Sequence, residues 1–193
     1  MLIYLIRHAR PEGVDGICYG RRDVPVPTVE SERAARALRL QIPEDVLGTA
    51  PIYSSPLERC AALARQVAGD RGVVVTQALL ELDFGSWQGR SWNQIPREEI
   101  DAWAADLWSY APGCGESAAA AARRWRSWID ALRGQASDAV IAVTHAGLIR
   151  VAHAVESESD PSVLTMDVPY GSAHLLIARA ALLPATRPGE VTA

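Results

Sequence analysis

Two histidines and two arginines stand at or just beyond the ends of short apolar runs, and together they could bind and attack a phosphate. Arg7 and His8 directly follow Leu2–Ile6. His145 directly follows Ala139–Thr144, and Arg59 comes shortly after Pro51–Ser55. A neutral imidazole is a nucleophile, and a guanidinium is a planar fork matched to phosphate oxygens. His145 offers a second imidazole, able to donate to an oxyanion when protonated, and Arg59 a second fork. Helix N-termini expected near Ser55 and Ala146 would add backbone N–H donors and positive dipole ends. The sum is an anion pocket with a nucleophile inside it. No metal is expected: Arg7 directly beside His8 would repel a dication, and the chain has no HExxH spacing.

These residues need elements that bring them to one place. An apolar run of four to six residues, rich in Ile, Leu and Val, reads as a strand buried on both faces. In open α/β sheets ligands bind beyond the carboxyl ends of such strands. The three runs therefore predict one rim carrying Arg7, His8, Ser55, Arg59 and His145. Residues 11–29, with Pro11, Gly13, Gly16, Gly20, Pro25 and Pro27, form a long loop after the first strand. Helices are expected over 30–40, 93–110, 116–132 and 146–155. A further helix should start from Ser55 as N-cap, Pro56 as first residue and Glu58 as third, and stop at Gly69. Its first turn carries Arg59, which is expected to serve the pocket and not the fold. Residues 41–50 read as a connection. Residues 73–76, 163–168 and 173–179 read as strands. A single domain over 1–183 and a mobile tail over 184–193 are expected.

Composition narrows the function classes. The chain has 193 residues, 49% apolar and 22% charged, with a formal net charge of −4. That is a globular composition with no basic excess to attract nucleic acid or an anionic membrane surface. All 19 basic residues are Arg, so no lysine can form a Schiff base or serve a P-loop. Arg7 interrupts the first apolar segment too early for a signal-peptide core, and Cys18, Cys60 and Cys114 form no CxxC. A cytoplasmic location with reduced thiols is the expectation.

Several stretches together resemble the histidine phosphatase superfamily, the branch related to cofactor-dependent phosphoglycerate mutases. They are Leu5-Ile-Arg-His8, Tyr53-Ser-Ser-Pro-Leu-Glu-Arg59, Glu81-Leu-Asp-Phe-Gly-Ser-Trp-Gln-Gly89 and Val143-Thr-His-Ala-Gly147. Gly16-Ile-Cys-Tyr-Gly-Arg-Arg-Asp-Val-Pro25 is similar to a stretch of the bacterial α-ribazole phosphatase subgroup. Pro112-Gly-Cys-Gly-Glu-Ser117 is similar to a lid segment of the phosphatase branch.

The resemblance implies an α/β three-layer sandwich, with a mostly parallel central sheet and helices on both faces. It implies a metal-independent phosphomonoester hydrolase that works without a cofactor through a phosphohistidine. His8 would accept the phosphoryl group, Arg7, Arg59 and His145 would hold it, and Glu81 would be the proton donor. The substrate would be a small phosphorylated metabolite, with α-ribazole 5′-phosphate a candidate. Arg10, Cys18, Tyr19, Gly20 and Ala146 would lie near it. A mutase-type phosphotransferase, a protein phosphatase and a phospholigand-binding protein remain as alternatives. The short segment between Gly89 and Glu116 favours the open site of the phosphatases over a mutase. Two positions depart from the family's usual pattern, Ala9 where Gly is usual and Val14 where many members have Asn.

Other residues have plainer readings. His153 and His174 fall in apolar stretches and read as structural. Trp87, Trp92, Trp103 and Trp108 read as core or lid packing before substrate contact. Arg21 and Arg22 suit a solvated surface as well as an anionic substrate. Asp83 suits either tuning of Glu81 or loop amides. Glu116 and Ser117 read as a helix start.

Overall fold

The first apolar run forms β1 (Leu2–Arg7), whose side chains alternate between two cores. Ile3 and Leu5 enter one, Tyr4 and Ile6 the other. The computed structural model describes residues 1–135, 137–156 and 161–178. β4 (Ala139–Thr144) pairs parallel with β1, with Arg7 opposite Thr144. β2 (Ile52–Ser54) pairs parallel with β4, with Ser54 opposite Val143. β3 (Val73–Val75) pairs parallel with β2, and β5 (Ala173–Ile177) runs antiparallel beside β1. The sheet order is β3-β2-β4-β1-β5. Parallel neighbours need crossovers, and the helices that make them cover both faces.

α1 (Thr28–Leu38) and α3 (Glu58–Ala68) pack on the face of Tyr4, Ile6, Ile52, Ile141 and Val143. The short α2 (Glu44–Thr49) lies beside them. α5 (Ala118–Arg133) and α6 (Ala146–Glu156) pack on the opposite face, where Trp125, Ile129, Leu148 and Ile149 are buried against Ile3, Leu5, Val140 and Ala142. Burying one such aliphatic or aromatic side chain stabilises the fold by roughly 1.5–3 kcal/mol, so each face holds its helices firmly. The three-layer α/β sandwich with a mostly parallel sheet is the observed architecture. α4 (Arg97–Ala105) stands outside it over an aromatic cluster. There the rings of Trp92 and Trp103 stack at 6.2 Å and Phe84 meets both edge-on.

Several element expectations need correction. The helix expected over 93–110 is a 3₁₀ turn at Trp92–Gln94 followed by α4. Pro96 separates them because its ring clashes with a preceding turn and lacks the N–H. The connection expected over 41–50 contains α2. The strand expected over 163–168 is instead a 3₁₀ turn, Pro161–Thr165, leading to buried Val168. Its β-branched residues find no ladder, because β5 already occupies the free edge of β1. α3 begins at Glu58 with Leu57 as N-cap, and not at Pro56. The Asp23 carboxylate accepts the Glu58 N–H at 3.1 Å, while the Ser55 hydroxyl meets His145 at 2.9 Å and accepts the Leu57 N–H, at 3.4 Å, ahead of the helix. The expected tail over 184–193, and residues 179–183 of the expected domain, lie outside the described residues.

Candidate active site

The strand register brings the two histidines together. His8 lies one residue past Arg7 and His145 one past Thr144, and those strand residues are paired. The His8 N–H donates to the Thr144 carbonyl at 3.0 Å, and the Ser55 N–H to the Val143 carbonyl at 3.0 Å. The imidazole centroids of His8 and His145 are 5.2 Å apart. His8, His145, Ser55 and Arg59 are all buried, each at 1% exposure or less.

His8 is held in one tautomer. Its Nδ1 lies 2.7 Å from the Ala9 carbonyl oxygen. A carbonyl only accepts, so the proton sits on Nδ1 and the lone pair on Nε2. Burial holds the His8 pKa well below the ordinary 6.5. Arg59 and, less strongly, Arg7 push the same way, against the opposing effect of the Ala9 hydrogen bond. The ring is therefore neutral at pH 7, with a nucleophilic nitrogen available. His145 is likewise lowered, by burial first, then by Arg59 and His8. Its Nε2 lies 2.9 Å from the Ser55 Oγ, and the Cys60 thiol is 3.4 Å from the same nitrogen. Burial pushes the Cys60 thiol well up, so it stays protonated as a wall of the pocket.

Arg59 lies in the first turn of α3 and reaches back over the strand ends. It donates to the Arg22 carbonyl at 2.7 Å and the Gly20 carbonyl at 2.5 Å. Arg7 donates to the Val168 carbonyl and lies 3.5 Å over the Tyr170 ring. Its Nε is buried with no hydrogen-bond partner. Among the described residues neither guanidinium has a carboxylate partner. Two guanidiniums with only neutral partners suit an anionic ligand, since burying unpaired charge is costly.

Glu81 sits at the N-terminus of α6. One carboxylate oxygen accepts the Leu82 N–H at 2.9 Å and the other the Gly147 N–H at 3.2 Å. A recess of about 290 Å³ beside it is lined by Val14, Cys18, Tyr19, Gly20, Glu81, Phe84, Trp92 and Tyr170, among others. Cys18, Tyr19 and Gly20, expected near a substrate, line this recess. Burial first, then Glu81, pushes the Cys18 thiol up to about 12. Ala146 lines a second recess with Glu81, Phe84, Trp103 and Arg150. Arg10 lies at the outer edge of the first recess, beside the lining residue Asp15. Its exposed side chain pairs with Asp15 at 2.9 Å, the carboxylate it meets as the chain turns after Pro11. Val14 is buried and contributes an apolar wall in the place of a polar contact.

The chain from residue 3 to residue 176 matches the histidine phosphatase superfamily, branch 1. The chain belongs to that superfamily. Its α/β architecture and its enzyme class, a histidine phosphatase, agree with that membership. No curated protein matches it in sequence. Among solved structures this histidine phosphatase resembles the alpha-ribazole phosphatase from Shigella flexneri, with 25% identity over 91% of this chain and 89% of that one and a TM-score of 0.75. The mycobacterial glucosyl-3-phosphoglycerate phosphatase in complex with VO3 is 24% identical over 91% of this chain and 92% of its own, with a TM-score of 0.78. A phosphoserine phosphatase mutant from Entamoeba histolytica is 19% identical over 92% and 91%, with a TM-score of 0.77. The last two share the fold. Among the described residues no helix is long and apolar enough to cross a membrane, and no group of three or more His, Cys, Asp or Glu is placed to hold a metal ion.

Tyr170, Arg124 and, beyond its reduced thiol, Cys60 carry no local sign of their place at the site. Tyr170 belongs to the turn before β5, and only the pairing of β5 with β1 brings it to Arg7. The Tyr170 hydroxyl lies 3.0 Å from that of Tyr19, and both rings flank His8. Arg124 is one of four arginines on α5, so nothing local sets it apart. His153 and His174 meet each other edge-on at 5.9 Å, away from the pocket.

Proposed function

We propose that this histidine phosphatase hydrolyses phosphomonoesters without a metal, through a phosphohistidine on His8. The observation that carries this reading is the pair of guanidiniums, Arg7 and Arg59, without a carboxylate partner beside a neutral imidazole whose Nε2 lone pair is open. Nε2 attacks phosphorus in line, the N–P bond forms and the P–O bond to the leaving group breaks. Arg7 and Arg59 offset the charge on the equatorial oxygens, and the neutral His145 turns its Nε2–H from Ser55 to one of them, the electrostatic effect that dominates phosphoryl transfer. Glu81 in its carboxylic form gives its proton to the departing oxygen. In the second step its carboxylate takes a proton from water, whose oxygen attacks phosphorus as the N–P bond breaks.

The substrate in this reading is a small phosphorylated metabolite seated in the recess between Cys18, Tyr19 and Phe84. α-Ribazole 5′-phosphate is the first candidate, supported by the likeness to the Shigella alpha-ribazole phosphatase across most of both chains.

The test combines a panel of phosphomonoesters, including α-ribazole 5′-phosphate, with EDTA present throughout. Activity should persist under EDTA. Brief reaction with labelled substrate should leave acid-labile phosphate on His8, and His8→Ala should remove it, with a rate loss of several orders of magnitude. A stable label on Ser55 or Cys60, or loss of activity on chelation with recovery on adding a divalent cation, would overturn the reading.

A further inference from the structure

Glu81 is the last residue of a segment held by two arginines that donate to its backbone carbonyls. Arg124, on α5, donates from Nη1 to the carbonyl of Ala78 at 2.7 Å and to that of Leu80 at 3.0 Å. Arg21, from the loop after β1, donates from Nε to the carbonyl of Glu81 itself at 2.8 Å. The two guanidiniums are joined through one carboxylate. Glu116 Oε2 accepts from Arg21 Nη2 at 2.8 Å and from Arg124 Nη2 at 2.7 Å, and its Oε1 accepts from Arg124 Nε at 3.2 Å. Glu116 is itself anchored, its N–H donating to the Asp83 carbonyl at 2.7 Å. The Arg21 N–H donates to Gln88 Oε1 at 2.5 Å, and Gln88 Nε2 donates to Asp83 Oδ1 at 3.1 Å.

This arrangement has a physical purpose that packing alone does not require. Arg21 and Arg124 have side chains only 28% and 18% exposed, and Glu116 15%. Charged groups withdrawn from water this far lose hydration and must regain it in directed contacts. Here the contacts go to three successive or near-successive carbonyls ending at Glu81. Backbone carbonyls of a loop otherwise turn to solvent, and held carbonyls fix the peptide planes from which the side chain projects. The reactive end of Glu81 is separately seated on the Leu82 and Gly147 amides. Backbone and carboxylate are thus fixed from opposite sides.

We propose that Arg21, Glu116 and Arg124 form a brace that positions Glu81, with Arg21 as its key residue. The inference rests on the reading of Glu81 as proton donor. A brace on the donor has a signature that a phosphate-binding residue or a general structural residue lacks. Its loss matters in proportion to how much the leaving oxygen needs a proton. An alkyl alkoxide needs one badly, and p-nitrophenolate leaves readily without it. General acid catalysis is worth roughly 10²–10⁴-fold, and a misplacement of about 1 Å can cost about 10²-fold.

The experiment follows phosphohistidine formation in single turnovers with an alkyl phosphate and with p-nitrophenyl phosphate. Arg21→Ala should slow the alkyl ester by about 10- to 100-fold and the nitrophenyl ester several-fold less, with inhibition by inorganic phosphate unchanged. Arg21→Lys should rescue little, because one ammonium cannot span the Glu81 carbonyl and Glu116 at once. Glu116→Gln, which keeps the size of the side chain, should show the same leaving-group selectivity in weaker form. In a Glu81→Gln background, Arg21→Ala should add no further selective loss. If Glu81→Gln is selective while Arg21→Ala slows both esters equally, or neither, the brace is wrong and the donor reading stands. If Glu81→Gln itself slows both esters equally, the donor reading fails and takes the brace with it.

Discussion

Arg59 donates its Nε–H to Nδ1 of His145 across 3.3 Å, and this contact decides where the imidazole carries its proton. A guanidinium has no lone pair to offer, so Nδ1 must be the acceptor. The proton then lies on Nε2, which donates to the Ser55 hydroxyl at 2.9 Å. The two histidines are thus opposite tautomers, His8 protonated on Nδ1 and His145 on Nε2. Each is set by a neighbour that can play only one role. The site is ordered before any substrate arrives, which is what preorganised catalysis needs.

Both rings are held below the ordinary pKa of 6.5, by burial first and by Arg59 next. The nucleophile is active when neutral. The acid limb of kcat/KM set by His8 should therefore lie below pH 6.5, measured with p-nitrophenyl phosphate so that leaving-group protonation matters least. A limb at or above the ordinary value would contradict the burial of His8.

The same shifts predict how stability depends on pH. His153 and His174 are also lowered, again by burial first. Below pH 6.5 the unfolded chain binds protons that the folded one refuses. Stability is full above that value and falls as pH decreases through it. The melting temperature should drop between about pH 7 and about pH 5. A flat profile over that range would show that these rings take up protons within the fold.

Arg59→Ala should abolish activity and also damage the fold, contrary to what its place in a helix's first turn suggests. The guanidinium ties the Gly20 and Arg22 carbonyls of the loop after β1 to the strand ends. Leaving a buried acceptor unpaired costs about 1–3 kcal/mol, so a loss of about 2 kcal/mol or more is expected in chemical denaturation. The His8 and His145 titrations, followed by NMR, should move up once this cation is gone. An unchanged stability would mean that water replaces the guanidinium at both carbonyls.

Gly147→Ala should separate placement of Glu81 from folding. A Cβ at this position would sit 2.3 Å from Glu81 Oε1 and 3.0 Å from Leu82 Cδ1. The carboxylate is the end of a flexible side chain and can yield, and Gly147 lies in the first turn of α6, where the interior helix propensity of alanine counts for little. Melting temperature should hardly change, while phosphorylation from alkyl phosphates should slow by about 10²-fold and from p-nitrophenyl phosphate much less. Full activity toward alkyl esters would show that the Gly147 contact does not set the donor.

Cys114 has φ of 60°, in the left-handed region that favours glycine, between Gly113 and Gly115. Its side chain is exposed and free. Cys114→Gly should relieve the strain and stabilise the protein by about 0.5–1 kcal/mol, read as a rise in melting temperature of a few degrees. A fall would mean that the thiol makes a contact worth more than the strain.

The sequence by itself determined the features that depend on neighbours along the chain. An apolar run buries itself in a sheet whatever lies beyond it, so β1 and β4 and the residues at their ends, His8 and His145, were legible. Glu81 was legible only through the resemblance of its loop to the superfamily, and its contacts with the Gly147 N–H and with Arg21 are tertiary. Even the break at Pro96 was a local rule available to be applied. Tertiary structure decided the rest, because it turned on partners far apart in the chain. Ser55 has the chemistry of a helix cap, but the strand register puts His145 beside it, so its hydroxyl serves that ring and the Leu57 N–H while Asp23 caps the Glu58 N–H of α3. Arg59 reads as a pocket residue alone until the loop at Gly20 folds over it. Tyr170 reaches Arg7 only because β5 returns antiparallel to β1, and Arg21 and Arg124 meet only through Glu116. A side chain's type and local spacing are written in the chain, whereas its proton, its partner and its cost of burial are properties of whatever surrounds it once the sheet has closed.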